Sequence, residues 1–239
     1  MVNIPVIAKR ELNAYFLSPI AYIVLTAFAL THGLIFSIHV GSAGVDPDAV
    51  VRFIFWTACG LMIIGAPIIT MRLISQEQRE GTIEPLLTVP VSDVDVITGK
   101  FLGSLIFSTS LMLPILLELV FLSAFSSLDY GPVFSGFLGL YLLINQFLAI
   151  GLFCSALTRV QIGAAIITFV SLVALFLLWL LFRNQTSNAA AILRYCAPGP
   201  HFSTFVRGVI DTRDLVYFMA TTALFLFLSV QIIASRKWK

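Results

Sequence analysis

Ile162-Gly-Ala-Ala-Ile-Ile-Thr-Phe-Val-Ser-Leu-Val-Ala-Leu-Phe-Leu-Leu-Trp-Leu-Leu-Phe182 carries no charged side chain from end to end. A bilayer core takes roughly 20 apolar residues per helix, so this run is long enough to cross one. Five further runs read the same way, over 20–39, 51–72, 96–122, 133–157 and 215–234, alongside 162–182 itself. The whole chain agrees with them. Hydrophobic residues make up 59% of its 239 positions and charged residues 11%, with a mean hydropathy of +1.01. A soluble domain is about a quarter charged, so this chain has too little polar surface to wrap a soluble core. The expected fold class is an all-α membrane protein with six transmembrane helices. It is expected to form a single domain over 1–239, because the stretches between the runs cannot make a separate soluble domain, and no internal repeat is evident.

Lys and Arg near the ends of spans set topology. Six spans put both termini on one side. That side holds Lys9, Arg10, Arg72, Arg79, Lys100, Arg159, Arg236, Lys237 and Lys239, against Arg52, Arg183, Arg194, Arg207 and Arg213 on the other. The bias predicts cytoplasmic termini, with Trp238 as an interface anchor. The first apolar run follows Lys9 and Arg10 and lacks an evident small-residue cleavage site, so it reads as a retained span and not as a signal peptide. Ahead of it, residues 2–18 alternate apolar and polar positions, and Ser18-Pro19 ends them. A short helix lying in the interface, basic residues toward the headgroups, is expected there.

The most hydrophilic run joins spans two and three: Arg72-Leu-Ile-Ser-Gln-Glu-Gln-Arg-Glu-Gly-Thr-Ile-Glu-Pro-Leu-Leu-Thr-Val-Pro-Val-Ser-Asp93. Span two is predicted to continue as a helix to Glu80 and stop at Gly81. Thr82 can cap a new short helix that tolerates Pro85 in its first turn, with Ile83, Leu86 and Leu87 on one face. Ser92 and Asp95 resemble a capping box for span three. From the residues alone, a surface helix and a solvated loop dipping its Leu and Ile into the bilayer remain equal alternatives.

Polar residues at membrane depth are few. Glu118, after Pro114 in span three, either snorkels to the near surface or is protonated, or it faces a translocation path or a dimer interface. Asn145 and Gln146 sit centrally in span four, where helix–helix hydrogen bonding is the ordinary role. His32 and His39 have no third ligand at useful spacing and read as structural. Cys59, Cys154 and Cys196 are scattered and suggest neither a metal site nor a disulfide framework. Between spans five and six, Pro198-Gly-Pro200 is expected to force a turn between two half-apolar stretches that form a shallow hairpin on the outer side.

The run Pro67-Ile-Ile-Thr-Met-Arg72, Glu77, the stretch Glu80-Gly-Thr-Ile-Glu-Pro-Leu-Leu-Thr-Val-Pro-Val-Ser-Asp93 and Gly99-Lys-Phe together resemble ABC-2 type permeases, most nearly the gliding-motility-associated subfamily. Ser155-Ala-Leu-Thr-Arg-Val-Gln-Ile162 and Arg207-Gly-Val-Ile-Asp-Thr-Arg-Asp-Leu-Val-Tyr-Phe218 extend the resemblance over nearly the whole chain. The chain departs from the family at Pro85, where an apolar residue is usual. The resemblance implies an elbow helix at the N-terminus and an external re-entrant-type hairpin before the last span. It also implies a cytoplasmic coupling helix that docks on a separate ABC ATPase, here Glu77, Arg79, Glu80, Gly81, Thr82, Ile83, Glu84, Leu86 and Leu87. ATP and magnesium would be bound by that ATPase, with no cofactor on this chain. Further implied partners are a second permease copy, forming a homodimer, and an auxiliary membrane protein with an external domain, all in the bacterial inner membrane and with no nucleic acid involved.

The sequence is consistent with such a division of labour. Its one Gly-Lys pair, Gly99-Lys100, has Val94 where a phosphate loop needs its first glycine and Phe101 where it needs a hydroxyl. Two readings of the ABC-2 kind remain, an exporter permease and a subunit that moves an extracytoplasmic partner. An ion-driven secondary transporter is the alternative from another class, and for it Glu118 is the one acid at depth. No acid–base pair or nucleophile arrangement marks an enzyme.

Overall fold

The computed structural model describes residues 3–40, 46–80, 92–182 and 187–236. Among these residues it is all helix and turn, with eleven helices. They are α1 (Asn3–Phe16), α2 (Pro19–Val40), α3 (Pro47–Thr70), α4 (Ser75–Glu80), α5 (Asp93–Thr109), α6 (Met112–Phe125), α7 (Tyr130–Leu157), α8 (Gln161–Phe182), α9 (Asn188–Cys196), α10 (Pro198–Val206) and α11 (Thr212–Arg236). Six units are long and apolar enough to cross a membrane: α2, α3 with α4, α5 with α6, α7, α8 and α11. The expected six runs fall on these six units. The bundle has an end that carries α1 and α4 and an end that carries the α9–α10 hairpin.

α7 forms the centre. Two-thirds of its apolar window is buried, against 11% for α8 and 17% for α2, so the last two turn apolar faces outward. The packing at α7 depends on small residues. A Cβ on Gly139 would come 2.5 Å from Cβ of Phe205, and one on Gly136 would strike the ring of Phe55. A helix of a membrane bundle approaches its neighbours closely where such residues line the contact.

Three local expectations are corrected. Span two does not run unbroken to Glu80, because the helix ends at Thr70 and a turn over 71–74 precedes α4. In that turn Ser155 Oγ, from the end of α7, accepts from Ile74 N at 3.2 Å and Ser75 N at 3.1 Å, replacing partners the helix would have supplied. Span three is likewise two helices, interrupted at Ser110 and Leu111. Pro114 has no N–H for the Ser110 carbonyl, and Leu113 N reaches that carbonyl instead at 3.2 Å. Finally, Pro198-Gly-Pro200 is not the turn. The chain bends one residue earlier, at the extended Ala197, and the three residues start α10. Proline at the first helical position is already set for the helix, and the residue before it is pushed to extended backbone.

The tight contacts at α7 predict a contrast. Gly139→Val should destabilise the protein by about 1–3 kcal/mol through overpacking. Gly60→Ala, with open space around its Cβ position, should leave stability unchanged or raise it. Thermal midpoints of the purified variants in detergent measure both.

Candidate functional site

The end carrying α1 concentrates the polar residues that the sequence singles out. Glu77, Arg79 and Glu80 lie on α4, with Arg79 and Glu80 exposed. Gly81, Thr82, Ile83, Glu84, Leu86 and Leu87 lie outside the described residues, as do Pro85 and Pro90. Ser92 does cap α5, accepting from Asp95 N at 3.1 Å.

α4 is short, and a helix of six residues has little stability of its own. Its position is fixed by tertiary contacts. Gln78 is buried, and its Nε2 donates to the Ala156 carbonyl at the end of α7, 3.1 Å away. Ser75 Oγ donates back to the Met71 carbonyl. Glu77 Oε1 accepts from Lys100 Nζ of α5 at 2.8 Å and from Arg10 of α1 at 3.1 Å.

Lys100 is the centre of this cluster. Its side chain is 2% exposed, and Nζ also donates to Glu11 Oε1 at 2.8 Å. An ammonium taken out of water costs several kcal/mol unless paired; here two carboxylates flank it, while Arg10 also contacts both Glu77 and Glu11. Arg10 therefore engages α4, where the sequence suggested a headgroup. α1 gets close enough because α5 presents Gly99 and Gly103 to it. A Cβ at either position would come within 2.7 Å of Ile7 or Glu11. Further along α1, Tyr15 Oη donates to the Ile69 carbonyl at 2.7 Å, and its ring stacks on Phe107 at 4.8 Å. Burial, with help from the negative Glu11, pushes the Tyr15 phenol above its usual range, so it stays a donor.

The polar residues at depth are paired. Glu118 does not snorkel. His32 Nδ1 lies 2.8 Å from both of its oxygens, hydrogen-bonding to Oε1, while Oε2 is buried without a hydrogen-bond partner of its own. His32 Nε2 faces the Ile54 carbonyl at 3.1 Å; a carbonyl only accepts, so Nε2 carries the hydrogen. One His thus joins α2, α3 and α6. Gln146 Nε2 reaches Tyr217 Oη at 3.2 Å and Thr221 Oγ1 at 3.0 Å on α11. Asn145 donates to the Tyr141 carbonyl of its own helix at 2.7 Å. At the hairpin end His201 repeats the His32 pattern, with Nδ1 at 2.6 Å from Asp214 Oδ1 and Nε2 at 2.8 Å from the Tyr195 carbonyl. Sequence reading missed Lys100, Glu11, His201 and Asp214 as paired groups. For Lys100 the signal was present: Gly99-x-x-x-Gly103 is a small-residue stripe of the kind that admits a second helix.

Six spans around a central α7, with polar pairs between helices, define a multi-pass α-helical membrane protein. A family model described as ABC-2 family transporter protein matches residues 54–235, most of the chain, and the chain belongs to that family. It is therefore of the class of membrane transport subunits. No curated protein matches it.

Two predictions follow from the pairs. In a double-mutant cycle, Lys100→Met and Glu11→Gln should couple by more than about 0.5 kcal/mol in stability, and Lys100→Met alone should cost about 3 kcal/mol because it leaves two carboxylates facing the single cation of Arg10. Glu118→Leu should cost about 1–3 kcal/mol by stranding His32 Nδ1, and adding His32→Leu should recover part of that loss. Thermal or denaturant unfolding in detergent reads each value.

Proposed function

We propose that the chain is the permease subunit of an ABC-2 type transporter, docking a separate ATPase through α4 and the segment that follows it. ATP and magnesium belong to that ATPase, and this chain transmits the work. The observation that supports this reading best is the fixing of α4. It hangs from the end of α7 through Gln78 and Ser155, and it is ion-paired through Glu77 to α1 and α5. A push on such a helix reaches spans two, three and four together. A helix joined only to its own span could tilt without moving the rest.

In this reading both termini are cytoplasmic, in a bacterial inner membrane, and α1 is the elbow helix. The α9–α10 hairpin is the external re-entrant element near the exit. A second copy completes the permease, and the outward apolar faces of α2 and α8 leave surface for it and for lipid. The stretch from Glu80 to Asp93 supports the gliding-motility-associated subfamily, in which work can be passed to an auxiliary membrane protein with an external domain. The reading of Glu118 as an acid of an ion-driven transporter is weakened by its engagement with His32.

The test is co-purification with the soluble ATPase. The double variant Glu80→Lys with Glu84→Lys should insert normally and lose at least about tenfold of the bound ATPase, as expected when more than about 1.4 kcal/mol of docking is removed. Gln78→Leu should keep the ATPase bound and lower its coupling to transport. If the charge-reversed variant binds and couples normally, the docking assignment is wrong.

A further inference from the structure

At the hairpin end a cavity of about 500 Å³ opens between α3, α8, α9 and α10. Its lining is of two kinds. The first is an aromatic floor. Trp56 of α3 and Trp179 of α8 stack with ring centroids 5.3 Å apart and planes 9° from parallel. Phe202 meets Trp56 edge-on at 5.2 Å. Gly199 lies against the indole of Trp179, where a Cβ would approach to 2.6 Å. The backbone of α10 therefore packs against that indole and holds it in place.

The second is cationic. Arg52, Arg194 and Arg207 line the same cavity, together with Ser203. Arg52 has a long contact to Asp46, at 3.9 Å, with both side chains largely in the open. Among the described residues, Arg194 and Arg207 have no carboxylate within salt-bridge distance. A plainer reason exists for two of these positions: Arg194 is in the last turn of α9 and Arg207 caps α10, where a cation favours the helix dipole. That reason does not bring the two to one cavity, and it does not apply to Arg52, which lies in the second turn of α3 and reaches Asp46.

Guanidinium groups recognise phosphate through paired N–H donors. A rigid indole pair offers a face to an apolar or planar body. The volume falls within the range of small-molecule sites, about 300–1,000 Å³. Trp179 is three residues from the end of its span, at the depth where tryptophans sit beside headgroups. We propose that this cavity binds a phosphate group carried on an apolar or planar body, with Arg52, Arg194 and Arg207 on the phosphate and the body laid on Trp56 and Trp179. Two sources share this chemistry, a phospholipid of the adjacent leaflet and a phosphorylated solute. The site lies at the opposite end from the ATPase dock and does not depend on it.

The chain has three tryptophans, so Trp238→Phe leaves the two of the cavity as the fluorescent reporters. This full-length variant, purified in neutral detergent, is titrated at constant ionic strength with inorganic phosphate, with a short-chain phosphatidylglycerol and with a short-chain neutral diacylglycerol. A saturable change in indole emission is expected with the phospholipid and not with the diacylglycerol. A response to phosphate as well assigns a site for phosphorylated solutes; a response to the phospholipid alone assigns the headgroup. Arg194→Gln with Arg207→Gln, both exposed positions, should weaken binding at least about tenfold, the effect of losing a charge-assisted hydrogen bond. Arg159→Gln at the far end should not alter it. If the double variant fails to fold, Arg52→Gln carries the same comparison. Failure of both the phospholipid and inorganic phosphate to give a saturable response, a diacylglycerol response equal to the phospholipid's, equal binding by the arginine variants, or equal weakening by Arg159→Gln overturns the proposal.

Discussion

A lysine that cannot reach water organises one end of this protein. Lys100 is buried, and its ammonium is held at 2.8 Å by Glu11 of α1 and by Glu77 of α4. Desolvating that charge is tolerable only while both carboxylates stay in place. With Arg10 the cluster holds two cations and two anions and is balanced within itself. The consequence is mechanical. α1 is distant in sequence from α4 and α5, and none of the three can shift by a few ångströms without exposing an unpaired charge to a poor solvent. The glycines of α5 let α1 approach closely enough for the pairing, and Tyr15 extends the same seam to the end of α3.

Elsewhere the bundle uses a second device twice. His32 and His201 each donate Nε2–H to a backbone carbonyl and present Nδ1 to a carboxylate. The carbonyl fixes the ring, and the carboxylate ties it to another helix. His201 also stacks on Tyr217 at 3.9 Å, and Tyr217 takes a hydrogen bond from Gln146 while donating to the Cys196 carbonyl at 2.7 Å. The hairpin is thereby fastened to α7 and α11. Its backbone closes with Gly208 at φ 91°, a conformation that suits glycine. Glu118, Gln146, His32 and His201 each find a partner on a neighbouring helix, as the cost of burying them alone requires.

The six spans were legible because each is a local property: a run of apolar residues long enough for a bilayer needs no knowledge of its neighbours. The pairs were not legible. Lys100 is 89 residues from Glu11, and His32 is 86 from Glu118, and no local periodicity links positions so far apart. His32 could be read as structural and Glu118 as a snorkelling acid while each was considered alone. The helix breaks were misjudged for a related reason. Pro114 was visible, but whether a proline kinks a helix or splits it depends on what else reaches the freed carbonyl. At Pro198 the ring that usually marks a turn instead begins a helix, because the first turn has no use for the missing N–H. The surface helix proposed after Gly81 lies outside the described residues, so the docking segment rests on its sequence and on the helix that leads into it.

The charge bias itself changes meaning once the structure is known. Counting nine cations against five treats every Lys and Arg as equally exposed. At the α1 end, Lys100 and Arg10 are neutralised by Glu11 and Glu77, which are drawn into the same seam. At the hairpin end, Arg194 and Arg207 have no such compensation among the described residues, and with Arg52 they surround one aromatic-floored cavity. In the orientation favoured by the count, these are the cations that the bias selects against. Arg52 keeps a long contact with Asp46, and an anion in the cavity would offset the positive charge that Arg194 and Arg207 bring to it. One end thus pairs its central cations across helices, while the other gathers arginines at a cavity, and only the first arrangement ties helix to helix.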